Sequence, residues 1–352
     1  MPAKTPLIGL TLDQLTDIAR QGGMPRFVGK QLADWLYAKK VTSFDQMVNI
    51  SKKNRQWLDT YYEVGRMDPA LARHSQDGSA KYLFDYGHGR KIESVYIPDR
   101  DKATLCVSSQ VGCRMNCYFC ATGRRGFHSN LSVREIINQI LSIPPAPVAG
   151  QAPMNELTNV VFMGMGEPLD NMEALLPAIE ILTAPWGLAW SPKRITVSTV
   201  GKLSSLKELL ERTQVHVALS VHTADSRQRE SMMPVQQAWP VRDVMKLLKG
   251  YDFAHQRRLS LEYIMWRNLN DDLAHADMLV KLIDGTPCRV NLIPFNPNPG
   301  VDLVPSSEEK MIIFRNYLNS KGIICTIRTS RGQDIEAACG MLAAKDRPKV
   351  NR

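Results

Sequence analysis

Three of the chain's seven cysteines fall within eight positions, in VGCRMNCYFC at residues 111–120. Cys113, Cys117 and Cys120 are spaced C-x3-C-x2-C, and thiolates are soft ligands suited to zinc or iron. A structural zinc site takes four ligands, commonly as two separated pairs. Here the nearest further candidate is His128 and no second pair follows, so zinc is the minor reading. Three crowded cysteines cannot all pair as disulfides either. Three thiolates on one loop suit a cubane [4Fe–4S] cluster with one iron left open, and an open iron can bind a substrate or cofactor. GMGEP, residues 164–168, adds a glycine-rich turn after a strand-like run, which is weak evidence alone and corroborating beside the cysteines. Taken singly, Cys106 and Cys339 read as buried small hydrophobes, Glu93 as a strand carboxylate, and His222 as a satisfied core or loop histidine. Cys288 and Cys325, in strand-like runs, read as core.

From about residue 103 the chain repeats strand, loop and helix. The strand-like runs are ATLCVSS, TNVVFMG, RITVSTV, VHVALSV, LSLEYIM, RVNLIPF and IICTIRT. Helical apolar spacing lies between them in SVREIINQILS, MEALLPAIEIL, KLSSLKELLER and MIIFRNYLNSKG. Such alternation implies parallel strands with right-handed crossovers. The fold class is α/β, a partial (β/α) barrel over 103–340, and barrels place chemistry where strands end. Residues 1–75 read as a helical accessory domain, with Thr11 capping TLDQLTDIARQGG. Residues 76–102 read as a hairpin-like linker punctuated by Gly87 and Gly89, and 341–352 as a basic tail. The proline-rich PPAPVAGQAP at 144–153 reads as an exposed loop.

The 352 residues suffice for one large domain and an accessory one. No apolar run of membrane-spanning length occurs. The first residues lack the apolar core of a secretory signal, so a cytoplasmic location is expected. The formal charge is +9, and the N-terminal 75 residues carry a disproportionate share. A basic balance favours phosphate-bearing partners.

The cysteine spacing, with Phe119 before the last ligand, resembles the radical S-adenosylmethionine (SAM) superfamily, and the agreement extends further. ESVYIPDRDKATLCVSSQVGCRMNCYFCATGRRGF, GMGEPLDN, SVH, NLIPFNP and RGQDIEAACGML resemble the RlmN/Cfr family of RNA adenine methyltransferases, over nearly the whole chain. The resemblance implies a [4Fe–4S] cluster on Cys113, Cys117 and Cys120 whose open iron chelates SAM. It implies further cofactor contacts at Gly166, Glu167, Ser198, Ser220, Val221, His222 and Asn296. It implies that Cys339 carries a methyl group taken from a first SAM and that a second SAM supplies a radical. Cys106 then attacks the Cys339 sulfur and leaves a disulfide, with Glu93 as general base. An sp2 ring carbon is a poor nucleophile, which is why a radical route is needed.

The substrates implied are an adenosine of 23S rRNA at the peptidyl transferase centre and an adenosine in the tRNA anticodon loop, both methylated at carbon 2. The target base must be single-stranded or flipped. Carbon-8 methylation of the Cfr type and a non-catalytic Fe–S RNA-binding protein are the alternatives. An electron donor such as flavodoxin or ferredoxin, a monomeric state and no membrane association are expected. Met341 stands where the family often has Gln, and SVHTADSRQRESMMP and GFHSNL depart from its usual wording. These departures flank the sites and bear on substrate detail.

Overall fold

The computed structural model describes residues 4–143 and 154–343. The expected exposed loop at 144–153 and residues 344–352 of the expected basic tail lie outside the described residues. The N-terminal unit comprises β1 (Thr5–Pro6), α1 (Leu12–Gln21), α2 (Phe27–Ala33), α3 (Lys52–Tyr61) and β2 (Tyr62–Glu63). Thr11 caps α1 as expected: its hydroxyl accepts from the Gln14 amide, and the Gln14 side chain accepts from the Thr11 amide at 2.9 Å. This reciprocal box satisfies two otherwise unpaired donors of the first turn. The helical pattern read over 1–75 ends at Tyr61, because β2 pairs with β1 and β3 (Leu71–His74) follows Pro69. In β3 burial alternates every second residue, a strand signature too short to be read from composition.

The main body continues through β4 (Ala80–Asp85), β5 (Lys91–Asp99), β6 (Lys102–Cys106), β7 (Gln110–Gly112), α4 (Ala121–Arg124) and β8 (Phe127–Asn130). Then come α5 (Val133–Ser142), β9 (Asn159–Phe162), α6 (Met172–Thr183), β10 (Ile195–Thr199), α7 (Leu203–Arg212) and β11 (His216–Ser220). The last third holds α8 (Ser226–Met232), α9 (Val241–Leu248), β12 (Leu259–Met265), α10 (Leu273–Ile283), β13 (Arg289–Pro294), α11 (Glu308–Ser320) and β14 (Ile324–Ile327).

One ten-stranded sheet runs β14-β13-β12-β11-β10-β9-β6-β5-β4-β3. From β6 to β14 every pairing is parallel. The two edge strands do not pair with each other, so the barrel is open and the expected partial (β/α) architecture is the one observed. All seven strand-like runs are strands of this sheet, and α5, α6, α7 and α11 fall where apolar spacing placed helices. Helices α8, α9 and α10 were not read from the sequence: α8 (SRQRESM) carries almost no apolar stripe, and Pro240 interrupts the pattern ahead of α9. The hairpin β4–β5 is antiparallel and joins the sheet through β6, with Val95 opposite Cys106.

The larger apolar core runs from Leu7 in the N-terminal unit to Leu342, and a second, smaller cluster gathers around the cysteine loop. The two parts are tied at α5. Asn138 accepts from the Met67 amide at 2.8 Å and donates to the Met67 carbonyl at 3.0 Å, and Arg66 donates to the Leu141 carbonyl at 2.7 Å. Among the described residues no helix is long and apolar enough to cross a membrane.

Candidate active site

The cysteine loop leaves the sheet after β6, and its three thiols line one cavity at the C-terminal ends of the parallel strands. Around them pack Met115, Phe119, Val200, Met233, Ile264 and Ile293. Burial pushes the Cys113 thiol up to about 12; burial, with Cys120 and Cys113 nearby, raises Cys117, and burial, with Cys339 nearby, raises Cys120. Three thiols so placed ionise only beside compensating positive charge, as bound iron would provide. Among the described residues no three His, Cys, Asp or Glu groups converge closely enough to hold a single metal ion. His128, the fourth ligand the zinc reading would need, is exposed and lies outside the cavity wall.

The same cavity is walled by Gly166 and Glu167, by Ser198 of β10, and by Ser220 and His222 at the end of β11. Gly166 has φ +105°, and a Cβ there would sit 2.6 Å from the Gln110 Cβ, so only glycine fits. Glu167 is buried, accepting from the Thr199 hydroxyl at 2.7 Å, the Val200 amide at 3.0 Å and the Leu169 amide at 3.1 Å. Burial outweighs these bonds and pushes its carboxyl up to about 7. The His222 Nδ1 accepts from the Ile264 amide at 3.2 Å, which leaves the ring proton on Nε2. Burial, with Arg229 nearby, lowers its pKa to about 3, so the ring stays neutral. Its edge meets Phe119 at 5.0 Å between centroids, and Phe119 in turn packs on Trp266. Val221 is fully buried in the core and is not part of the cavity wall; its amide donates to the Glu262 carbonyl at 3.1 Å and its carbonyl accepts from Arg229.

A second cavity, of about 410 Å³, adjoins the first and contains Cys106, the last residue of β6. Cys339 and Arg328 border both cavities. The segment carrying Cys339 is fastened to the cysteine loop: the Ala121 amide donates to the Gly340 carbonyl at 2.8 Å, and the Thr122 hydroxyl to the Leu342 carbonyl at 2.7 Å. Asn298 bridges the carbonyls of Phe119 and Gly340. Asn296 lies in the wall of the second cavity, where its amide donates to the Cys339 carbonyl at 3.3 Å. Burial pushes the Cys106 thiol up to about 12, with Cys339 adding to the rise and Arg328 opposing it. All seven cysteines are free thiols, so the disulfide implied for Cys106 and Cys339 is absent; the two sulfurs share a cavity beside Arg328 without being bonded. Cys325 is core as read, and Cys288 is half-buried against it.

Glu93 is placed differently from the other candidates. It lines neither cavity, and its carboxylate is buried between the Lys81 ammonium, 3.0 Å from Oε1, and the Ala343 amide, which donates to Oε2 at 2.8 Å. Lys81 also donates to the Glu336 carbonyl at 3.0 Å. Sequence reasoning missed Lys81, Arg229 and Arg328. Arg328 directly follows β14, three positions before RGQDIEAACGML, and its place at a strand terminus is the available signal.

An open barrel with a three-cysteine loop at its mouth, and an adjoining cavity that brings Cys106 and Cys339 together beside Cys120, defines a radical SAM enzyme fold fitted for thiol chemistry. Residues 107–279 match the radical SAM superfamily, and residues 5–64 match the ribosomal RNA large subunit methyltransferase N-terminal domain. The chain is 52% identical over 343 residues to a probable dual-specificity RNA methyltransferase RlmN of Parabacteroides distasonis, covering 97% of this chain and 98% of that one. It is 38% identical over 350 residues to the dual-specificity RNA methyltransferase RlmN of Desulfotalea psychrophila, covering 98% and 97%. A radical SAM methyltransferase from Sphaerobacter thermophilus has a solved structure that superposes with a TM-score of 0.89 at 36% identity, over 97% of this chain and all of that one. The chain belongs to the RlmN family.

Proposed function

We propose that this protein methylates carbon 2 of an adenosine in 23S rRNA and of an adenosine in tRNA anticodon loops, through a methyl group carried on Cys339. The observation that carries the reading is the position of Cys339, which borders both the cavity of Cys113, Cys117 and Cys120 and the cavity of Cys106. Bound there, the cluster and SAM would supply a 5′-deoxyadenosyl radical. The chain's own groups do the rest. Cys339 takes a methyl group by thiolate attack on a sulfonium, with Arg328 as the adjacent cation. The segment 339–342, fastened to Ala121 and Thr122, holds the carried carbon over the radical site. After that carbon has joined the base, Cys106 attacks the Cys339 sulfur; the S–S bond forms as the S–C bond breaks, the departing carbon leaves with the bonding pair and takes a proton to become the methyl group, and an external reductant restores both thiols. Glu93 removes the proton from the base carbon once the Ala343 amide withdraws from it.

The basic surface holds RNA phosphates. A low-potential donor such as flavodoxin or ferredoxin supplies electrons, and the protein works as a cytoplasmic monomer.

The test is methylation of ribosomal and transfer RNA transcripts by anaerobically reconstituted protein, followed by nucleoside mass spectrometry. The expected product is 2-methyladenosine. Finding 8-methyladenosine instead would make this a Cfr-type enzyme, and SAM cleavage without any methylated nucleoside would remove RNA as the substrate. Within the cofactor loop, Gly166→Ala is expected to weaken SAM binding about tenfold or more, about 1.4 kcal/mol, because the added Cβ drives the loop off Gln110. Equilibrium dialysis measures this; unchanged affinity would mean the loop does not shape the site.

A further inference from the structure

Arg229, on α8, is completely buried and is among the largest fully buried side chains of the protein. Its guanidinium donates to four neutral acceptors: the Val221 carbonyl at 3.2 Å, the Ser220 carbonyl at 3.0 Å, the Val200 carbonyl at 3.3 Å and the Gln236 side chain at 2.7 Å. No carboxylate pairs with it among the described residues. A buried cation without an anion is costly to keep, so a structural clamp alone would be better made by a neutral donor. Ser220 and Val200, whose carbonyls it bonds, wall the same cavity as Cys117, and α8 is tied to the cysteine loop where the Tyr118 amide donates to the Met232 carbonyl at 2.9 Å. Burial lowers the Arg229 pKa to about 10, and the Cys117 sulfur opposes that lowering. His222, the other ionisable neighbour, is neutral and contributes no charge.

We propose that Arg229 is a positioning residue that sets the reduction potential of the cluster site, as a fixed positive charge beside Cys117. This rests on the cluster reading above. Three thiolates leave a cubane with net negative charge, and that charge grows by one unit when it accepts an electron. A cation held in a medium of low dielectric favours the reduced form more than the oxidised one, and net charge is among the factors that set cluster potentials. Two of these carbonyls belong to the segment that carries Ser220 and His222, and the third to the loop that follows Ser198. Any variant of Arg229 therefore disturbs the cavity as well as the field, and the test has to separate the two.

Gln236 allows this. Its Oε1 accepts from Arg229 and, at 3.1 Å, from the Val241 amide. Gln236→Glu keeps the shape and both bonds while pairing the guanidinium with a carboxylate, which cancels most of its field. Arg229→Lys keeps the charge and loses most of the clamp, whereas Arg229→Gln loses both. The measurement is a redox titration followed by electron paramagnetic resonance on anaerobically reconstituted full-length protein without SAM. Gln236→Glu and Arg229→Gln are expected to make reduction at least tenfold less favourable, a shift of about 59 mV to lower potential. Arg229→Lys is expected to stay closer to the unsubstituted protein. The proposal is overturned if Gln236→Glu leaves the potential in place, or if Arg229→Lys moves it as far as Arg229→Gln. Should Arg229→Gln fail to retain iron, the other two variants still decide. Unsubstituted protein that takes up no iron would instead defeat the cluster reading, an outcome distinct from either.

Discussion

Protein carrying Cys106→Ala, supplied with RNA, SAM and reductant, is expected to accumulate a covalent adduct joining the RNA to Cys339 and to turn over at background. The expectation follows from the second cavity, where Cys106 and Cys339 face each other and no other thiol is present except Cys120 of the cluster loop. With Cys106 gone, the carbon attached to the base stays bound to the Cys339 sulfur, because nothing else is placed to break that bond. Denaturing electrophoresis with labelled RNA, and mass spectrometry of the linked peptide, read the adduct directly. Normal turnover by this variant would remove the two-cysteine scheme. The unsubstituted protein adds a pH signature. Burial pushes Cys106 up to about 12, so its neutral form dominates near neutrality. Its reactive thiolate fraction then rises about tenfold per pH unit while pH stays below the pKa. Decay of the adduct in single-turnover experiments should accelerate in that proportion from about pH 7 to about pH 9, and a flat profile would mean another step limits release.

Glu93→Gln is expected to lower RNA methylation by about 10²–10⁴ while methylation of Cys339 itself continues. The two half-reactions separate because the first involves no RNA and no proton on a base carbon, whereas proton removal from the base needs a carboxylate. In the structure both oxygens of Glu93 are engaged, one by Lys81 and one by the Ala343 amide. The amide follows directly on the segment that carries Cys339, so exposing the carboxylate requires Ala343 to shift when RNA binds while Gly340 and Leu342 keep their bonds to Ala121 and Thr122. An amide side chain at 93 can replace the hydrogen-bond geometry in part and cannot take the proton. Equal loss of both half-reactions would show that Glu93 serves Lys81 and the fold rather than the chemistry. RNA methylation at the unsubstituted rate would exclude it as the base.

How far these arguments could be made from the sequence depended on the range of the signal. The three-cysteine spacing, the GMGEP turn and the βα rhythm are local patterns, and the structure places Cys113, Cys117, Cys120, Gly166, Glu167, Ser198, Ser220 and His222 in one cavity wall. The seven parallel strands were legible because β-branched runs such as RITVSTV and VHVALSV alternate with amphipathic helices. What escaped depends on long-range packing. Lys81 and Glu93 sit on paired strands, yet their ion pair is sealed by Ala343, some 250 positions away. Arg229 lies in a polar stretch whose helix has no periodic apolar face, and nothing local distinguishes a buried arginine there from a solvated one. Asn296 could be picked by motif, but its bond to the Cys339 carbonyl exists only in three dimensions. Strand β3 was absorbed into the helical N-terminal reading because four residues carry too little pattern.

The most direct test of the account is peptide mass spectrometry of Cys339 in protein purified from cells that load the cluster. The account predicts that Cys339 carries the added mass of one methyl group in place of hydrogen, and that this mass is absent when Cys117→Ala prevents iron uptake only if the methyl donor binds at that same iron. Protein that holds iron and cleaves SAM, yet yields Cys339 as an unmodified thiol under every supply of SAM, would contradict it.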